Sequence, residues 1–214
     1  MDEGGMLMKP NQGMVGTTTV GLVCSDGVVL AADKRATMGY FIAGKDVRKV
    51  FEVDDKIALT VAGSVADAQT LVRWLKAEIK LYRFREKKRM TVDAAGALLS
   101  NIMFQYKMFP FYVQLLVAGI EKEPRIISLD PLGGATDEKF VSTGSGSPIA
   151  YGLLEATYVK DKTVRENLKL AMKAVSVAMK RDCASGEDID LVSITKTGFK
   201  RYEKEEIKKL MEEE

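Results

Sequence analysis

The sequence predicts an α+β fold in which two antiparallel β-sheets are stacked between two pairs of helices, a four-layer αββα sandwich. The predicted elements follow in the order strands, two helices, strands, two helices, strands. This order favours antiparallel sheets covered by helical layers over an alternating parallel β-α-β arrangement. Asp26-Gly27 and Thr197-Gly198 lie between strand-like runs and are tight-turn signals of β-hairpins. With 214 residues, of which 46% are hydrophobic, the chain can bury the core of one compact domain.

The first strands and the first helix pair are predicted from runs of Val, Ile, Leu and Phe, followed by apolar residues at helical spacing. Ser64, with Asp67 three residues later, resembles a capping box and begins a helix that runs to about Arg85. Thr91 caps a second helix, which ends before Pro110. The strands predicted ahead of these helices are Thr18–Cys24, Val28–Ala32, Lys49–Val53 and Ile57–Ala62.

The second half of the chain follows the same order of strands and then a helix pair. A proline in the first turn indicates a helix over Pro148–Tyr158. Thr163 with Glu166 is a complete capping-box pattern for a helix that ends at about Arg181. Lys204–Glu214 is predicted to be a charged, weakly amphipathic helical tail. The strands predicted in this half are Tyr112–Ile120, Arg125–Leu129, Lys139–Thr143, Ile189–Lys196 and Phe199–Tyr202.

The first residues of the chain show neither strand nor helix periodicity. Residues 1–16 are rich in glycine and methionine and contain Pro10. We predict that residues 1–16 form a leader and that residues 17–214 form a single domain, the usual outcome for a chain of this length.

The composition excludes several classes of function. The chain has no histidine, which rules out Ser-His-Asp and Cys-His catalytic sites and removes the commonest metal ligand. Cys24 and Cys183 are too few for a disulfide scaffold or a Cys-rich zinc site, so a reducing, cytoplasmic location is expected. A net charge of +2 gives no general attraction for nucleic acid. No apolar run is long enough for a membrane helix. We therefore expect neither a nucleic-acid nor a membrane partner.

Without histidine, a hydroxyl nucleophile needs another base, such as a lysine, a carboxylate or the terminal amine of the chain. Gly16 and Thr17 lie where the leader meets the first strand. Cleavage between them would place a hydroxyl and a free amine on one residue, Thr17. The alternative is that the run Thr17–Thr19 simply begins a strand, because β-branched residues favour strands.

Several short motifs together resemble a known family. They are Gly16-Thr17-Thr18-Thr19, Asp33-Lys34-Arg35, Lys49, Ala62-Gly63 with Asp67, Gly144-Ser145-Gly146-Ser147, and Arg181-Asp182 with Ser185-Gly186. In this combination the sequence resembles the β-type subunits of the proteasome core particle, which are N-terminal nucleophile hydrolases. The resemblance covers essentially all of residues 17–202. The short leader and the Gly-Thr-Thr-Thr junction resemble those of archaeal subunits.

The resemblance implies a role for each matching residue. Thr17 would be the nucleophile once the leader is removed, with its own amine as the proton acceptor. Lys49 would lower the pKa of the Thr17 hydroxyl and amine, and Asp33 would orient Lys49 and balance its charge. The backbone N–H of Gly63 would contribute to an oxyanion hole. The polar residues around the amine would be Ser145, Asp182 and Ser185. Without the resemblance, Asp33 and Lys49 could form an ordinary surface ion pair, and the other residues could be turn or loop positions.

The resemblance also indicates specificity and partners. The positions that match the primary substrate pocket are apolar, which predicts cleavage after large hydrophobic residues. These positions are Ala36, Val47, Phe51, Val61 and Val65. The implied partners are identical β subunits in a heptameric ring, α-type subunits, ATP-dependent unfoldases and unfolded polypeptides. No cofactor and no metal are expected.

Two other functions stay open at this point. A non-catalytic ring subunit would share the fold but should lack Thr17, Lys49 or Asp33. An N-terminal nucleophile amidase would act on a small amide instead of a protein. The basic run Lys80–Arg89 is interpreted as a solvated helix end and not as a nucleic-acid site. The pattern Ser193–Lys196 lacks the partner motifs of a Ser-Lys amidase.

Overall fold

The computed structural model describes residues 16–212. Within them the chain forms two five-stranded antiparallel sheets, a small two-stranded hairpin and five helices. The strands of the first half are β1 (Thr19–Val23), β2 (Gly27–Asp33), β3 (Ala36–Met38), β4 (Phe41–Gly44), β5 (Val50–Asp54) and β6 (Ile57–Gly63). Those of the second half are β7 (Val113–Ile120), β8 (Pro124–Leu129), β9 (Ala135–Glu138), β10 (Phe140–Thr143), β11 (Ile189–Thr195) and β12 (Gly198–Tyr202). The helices are α1 (Val65–Glu86), α2 (Val92–Gln105), α3 (Ser147–Thr157), α4 (Val164–Met179) and α5 (Lys204–Glu212).

Each sheet combines hairpins of consecutive strands with pairs of strands from distant parts of the chain. The first sheet has the order β10-β1-β2-β11-β12, and the second has the order β5-β6-β7-β8-β9. The central pair of the first sheet is β2 with β11, where Ile189 lies opposite Asp33. In the second sheet β6 pairs with β7 along its whole length and ends with Gly63 opposite Val113. The ends of β2 and β6 therefore carry two residues of the predicted site.

Three apolar clusters form the core and define the four layers. In β2, Val28 and Leu30 face the other sheet, whereas Val29 and Ala31 pack under α3 and α4. The second sheet is covered in the same way, with Leu115 of β7 packing under α1 and α2. Successive side chains of a strand point to opposite faces, so a strand covered on both sides is apolar throughout. This confirms the predicted αββα sandwich.

The helix starts follow the predicted caps, with one difference. At α4, Thr163 and Glu166 make both bonds of a capping box. At α1, Ser64 accepts a hydrogen bond from Asp67 N, but the reciprocal bond is not made. Instead, Tyr112 N donates to Asp67 Oδ2 at 3.0 Å, and Ser64 N donates to Tyr112 O. Asp67 therefore ties the start of α1 to the segment before β7. The helix start predicted at Ser64 is confirmed, with one of the two bonds of a capping box.

The remaining differences concern short strands. The hairpin of β3 and β4 and the edge strand β9 were not predicted. The predicted strand that began at Lys139 begins at Phe140, and β5 begins at Val50 instead of Lys49. The last two residues of the predicted tail, and the predicted leader apart from Gly16, lie outside the described residues. No helix within residues 16–212 is long and apolar enough to span a membrane.

Candidate active site

Thr17 lies just before β1 and is only 1% exposed. Its carbonyl oxygen accepts a hydrogen bond from Gly146 N, at the start of α3, at 3.2 Å. Gly144 passes so close to this carbonyl that a Cβ on it would lie 2.3 Å from Thr17 O, and it has a positive φ of 92°. A side chain at that position would displace Thr17. The glycine-rich loop before α3 therefore fixes the backbone of Thr17.

One carboxylate connects three of the predicted site residues. Thr17 Oγ1 donates to Asp33 Oδ1 at 3.3 Å, and Lys49 Nζ donates to the same oxygen at 2.7 Å. The second oxygen of Asp33 accepts from Arg35 N at 3.1 Å and Gly186 N at 2.9 Å. These donors hold the carboxylate in one orientation at the end of β2. Asp33 is 0% exposed, so this is a buried ion pair and not the surface pair that was the alternative.

Burial lowers the pKa of the Lys49 amino group below its ordinary value of 10.5, because it removes water from the charged form. The charge and hydrogen bond of Asp33, and the charge of Asp182, act in the opposite direction. The Lys49 side chain is 7% exposed. The Lys49 amino group therefore lies in a site with little water, and Asp33 is its direct partner.

A second ion pair, of Arg201 with Asp190, holds the backbone after Lys49. Lys49 O accepts from Val61 N on β6, so the N–H and C=O of Val50 point away from that strand. Val50 N donates to Asp190 Oδ2 at 3.4 Å, and Val50 O accepts from Arg201 Nη2 at 2.7 Å. Arg201 also forms an ion pair with Asp190. This clamp, which fixes the start of β5 from the other sheet, was not predicted from the sequence.

A chain of hydroxyl groups surrounds the nitrogen of Thr17. Thr17 N donates to Ser145 Oγ at 3.1 Å, and Ser145 Oγ donates to Asp182 Oδ2 at 2.6 Å. Ser185 Oγ donates to the same Asp182 oxygen at 2.6 Å. Thr18 Oγ1 lies 2.7 Å from Ser185 Oγ and completes the network. The structure thus brings Ser145, Asp182 and Ser185 together beside Thr17, and it adds Thr18, which sequence reasoning missed.

Gly63 occupies the end of β6 with a positive φ of 127°. A Cβ at this position would lie 2.1 Å from Tyr112 O. Only glycine fits both the backbone conformation and the close approach of the neighbouring chain. Gly63 also lines the same cavity as Thr17. Gly63 therefore ends β6 beside Thr17, and its part in an oxyanion hole stays a prediction.

An apolar cavity of about 190 Å³ opens beside Thr17. All five positions predicted for the substrate pocket line it, and so do three residues that were not predicted, Arg48, Ala68 and Gln69. The complete lining is Thr17, Ala36, Val47, Arg48, Lys49, Phe51, Val61, Gly63, Val65, Ala68 and Gln69. The predicted nucleophile and the predicted pocket thus share one cavity.

Gly16, the residue before Thr17, is buried in a fixed position. Its N–H donates to Thr37 Oγ1 at 3.2 Å. A Cβ on Gly16 would lie 1.8 Å from Ala184 Cβ. The sequence gives no signal for Thr37, because it lies on the hairpin of β3 and β4 that was not predicted.

The comparisons with known proteins agree with this geometry. The family model described as "Proteasome subunit" matches residues 14–194. A proteasome subunit beta of Methanocaldococcus fervens is 53% identical over 203 residues, which are 94% of this chain and 91% of that protein. One from Methanosarcina mazei is 51% identical over 203 residues, 94% of this chain and 97% of that protein. One from Archaeoglobus profundus is 52% identical over 198 residues, 92% of each chain.

The chain belongs to the proteasome subunit family. Its similarity to archaeal β subunits extends over most of its length, which confirms the family predicted from the motifs. Family and relatives support a peptidase, and hence hydrolase, function in a proteasome core. Within residues 16–212, no group of three or more acidic or cysteine side chains is placed to hold a metal ion.

Proposed function

We propose that the chain is a threonine endopeptidase of a proteasome core, made as a precursor that removes its own leader to expose Thr17. The observation that carries this proposal is the contact of Thr17 Oγ1 with the carboxylate oxygen that Lys49 also contacts. A hydroxyl that borders both a buried ion pair and an apolar cavity meets the requirements of an activated nucleophile.

The proposed reaction is acyl transfer. The amine of Thr17, free after leader removal, takes the hydroxyl proton while Thr17 Oγ1 attacks the scissile carbonyl carbon. The same amine then gives this proton to the leaving nitrogen of the substrate. Water hydrolyses the resulting ester and restores Thr17. A terminal amine has an ordinary pKa of about 7.7–8.0, so it can serve as a base near neutral pH in a chain without histidine.

Charge near the nucleophile is supplied by the buried pair. The positive charge of Lys49 favours the less protonated forms of the hydroxyl and the amine. Asp33 opposes the effect of burial by favouring the charged form of Lys49, and it also contacts Thr17 Oγ1 directly. Without Asp33, an uncompensated buried lysine would lose its proton more readily. Lys49 and Asp33 are therefore proposed to act as one unit.

The other site residues act on the oxyanion and the amine. The backbone N–H of Gly63 would stabilise the negative oxygen of the tetrahedral intermediate, where a single donor is worth about 3–4 kcal/mol. Ser145, which contacts the nitrogen of Thr17, would orient the amine and connect it to Asp182 and Ser185. This network would relay protons between the amine and its surroundings.

The cavity supports cleavage after hydrophobic residues. Its wall next to Thr17 is formed mainly by aliphatic and aromatic side chains, such as Val47, Phe51 and Val61. Binding of a large apolar side chain there is favourable because its surface leaves water, whereas a charged side chain would lose its hydration at a cost in free energy. The cationic residues Lys49 and Arg48 in the lining further oppose a basic side chain.

The proposal includes an assembly and a location. Identical β subunits would form a heptameric ring, stacked on α-type subunits and supplied with unfolded polypeptides by ATP-dependent unfoldases. A cytoplasmic location fits the free thiols of Cys24 and Cys183.

A covalent probe tests the nucleophile. The full chain is assembled with α-type subunits, treated with an epoxyketone that carries a hydrophobic side chain, and mapped by mass spectrometry. We expect one adduct, on Thr17, together with loss of peptidase activity. An active protein with an adduct elsewhere, or with none, would contradict the proposal.

Unfolded casein separates the remaining alternatives. A protease releases peptide fragments from it, whereas an amidase hydrolyses only small amides. A non-catalytic ring subunit would show neither activity and no adduct.

A further inference from the structure

Thr37 is a buried polar residue that the reaction above does not use. It lies in β3, is 5% exposed, and accepts the N–H of Gly16 at 3.2 Å. Successive residues of a strand face opposite sides. Its neighbour Ala36 accordingly lines the apolar cavity, while Thr37 contacts the residue before Thr17. The strand thus serves the substrate pocket with one side chain and the leader junction with the next.

The peptide between Gly16 and Thr17 is held on several sides. Thr37 holds the nitrogen of Gly16, Ser145 holds the nitrogen of Thr17, and the Cα of Gly16 packs against Ala184. The carbonyl group that is attacked during leader removal lies between these two nitrogens. The orientation of this carbonyl group is consequently fixed from both ends. Ser145 belongs to the polar network around Thr17 N, and Ala184 lies between two members of that network in the sequence, whereas Thr37 lies on a separate strand.

We propose that Thr37 is a positioning residue for leader removal, whose hydroxyl oxygen holds the Gly16–Thr17 peptide in the orientation that Thr17 Oγ1 attacks. The inference rests on the proposed function. In this step, Thr17 Oγ1 bonds to the carbonyl carbon of Gly16, the bond from that carbon to Thr17 N breaks, and the hydroxyl proton passes to the nitrogen. Water then hydrolyses the ester, which leaves a carboxylate on Gly16 and a free hydroxyl and amine on Thr17.

This role predicts a specific defect. The partner of the Thr37 hydroxyl is Gly16, which departs with the leader, so the contact exists only before maturation. Loss of the oxygen leaves a buried N–H without an acceptor and frees the peptide to rotate. Small losses of orientation have large effects on a reaction between groups held in place. Leader removal should therefore slow much more than peptide hydrolysis by sites that have matured.

The test compares three threonine variants of the full chain, assembled with α-type subunits. Thr37→Val keeps the shape and removes the oxygen, Thr37→Ser keeps the oxygen, and Thr136→Val makes the same change at an exposed position of β9. Intact mass spectrometry follows leader removal over time. An active-site probe counts matured sites, so that peptidase activity is expressed per site. If Thr37→Val does not assemble, Thr37→Ala, which also lacks the oxygen, replaces it.

We expect Thr37→Val to slow leader removal by about tenfold or more, with a much smaller change in activity per matured site. Thr37→Ser should restore most of the rate, and Thr136→Val should process like the unaltered chain. Normal processing by Thr37→Val, or equal losses in processing and in activity per site, would overturn the role of Thr37. Thr17→Ala distinguishes the two proposals, because its processing at a normal rate would overturn the proposed function and, with it, this inference.

Discussion

Lys49 Nζ lies 2.7 Å from Asp33 Oδ1 in the interior of the protein, where the two side chains are 7% and 0% exposed. Water barely screens such a pair, so each charge depends on the other for compensation. Thr17 Oγ1 donates to the same carboxylate oxygen. The ion pair and the proposed nucleophile are therefore one electrostatic unit, which connects the stability of the fold to its chemistry.

Breaking the pair should cost both stability and activity. Asp33→Asn or Lys49→Met leaves one buried charge uncompensated, and we expect each to lower the free energy of unfolding by about 3–5 kcal/mol. The double variant removes both charges and should recover part of that stability, but no peptidase activity. Denaturant titration and peptide hydrolysis measure the two effects. Full stability in either single variant would show that the pair is not a buried, mutually dependent one.

The pH dependence of activity should show the lowered pKa of Lys49. Above that pKa, Lys49 loses its charge and Thr17 loses the nearby cation, so activity should fall at a pH below 10.5. In the same window the unfolded chain binds more protons than the folded one, so this group alone makes folding more favourable as the pH rises. Lys49→Arg stays charged at that pH, so it should raise the pH at which activity is lost, the alkaline limit, even if its rate is low. An unchanged limit in that variant would assign the limit to another group.

A charge at the cavity mouth should change the cleavage preference. Val65 is 42% exposed at the first position of α1, where an acidic side chain is compatible with the helix N-terminus. Val65→Asp should raise cleavage after Arg relative to cleavage after Leu by about tenfold, measured with fluorogenic peptides. Val65→Asn is the uncharged control of similar size and should leave the ratio near that of the unaltered enzyme. An unchanged ratio in Val65→Asp would place the substrate side chain elsewhere.

Gly63 and Gly152 allow a matched comparison of glycine-to-alanine substitutions, one at the candidate site and one in a helix. Gly63→Ala forces a Cβ to 2.1 Å from Tyr112 O at a positive φ, whereas a Cβ on Gly152 in α3 meets nothing within 4 Å. We expect Gly63→Ala to destabilise the protein by about 2 kcal/mol or more and to abolish peptidase activity. Gly152→Ala should stabilise it by roughly 0.5–1 kcal/mol, because alanine is the better helix former. Thermal unfolding of both variants measures the contrast, and equal effects would contradict it.

The sequence predicts the sandwich well because its strands are covered on both faces. Runs such as Val28–Ala32 are continuously apolar, and the helices carry strong caps at Thr91 and Thr163. The strands it misses are short, and two of them, β4 and β9, are mostly exposed. In β9 most residues face solvent, and the hairpin of β3 and β4 is marked only by Gly39 in its turn. Such strands are held by their neighbours more than by local preference.

The candidate site was predictable only as a set of motifs. Asp33, Lys49 and Asp182 are ordinary charged residues in the sequence, and their convergence on Thr17 depends on strand register and loop geometry. Contacts that need tertiary structure were missed, above all that of Thr37 with Gly16. No local pattern distinguishes a buried strand threonine from one that binds a neighbouring backbone.

Thr17 can act as proposed only if its nitrogen is an amine in the working enzyme. N-terminal sequencing of the assembled, catalytically active protein measures this directly. We expect a single sequence that begins Thr-Thr-Thr-Val, at Thr17. Full activity in a protein that retains the Gly16–Thr17 peptide bond would contradict it.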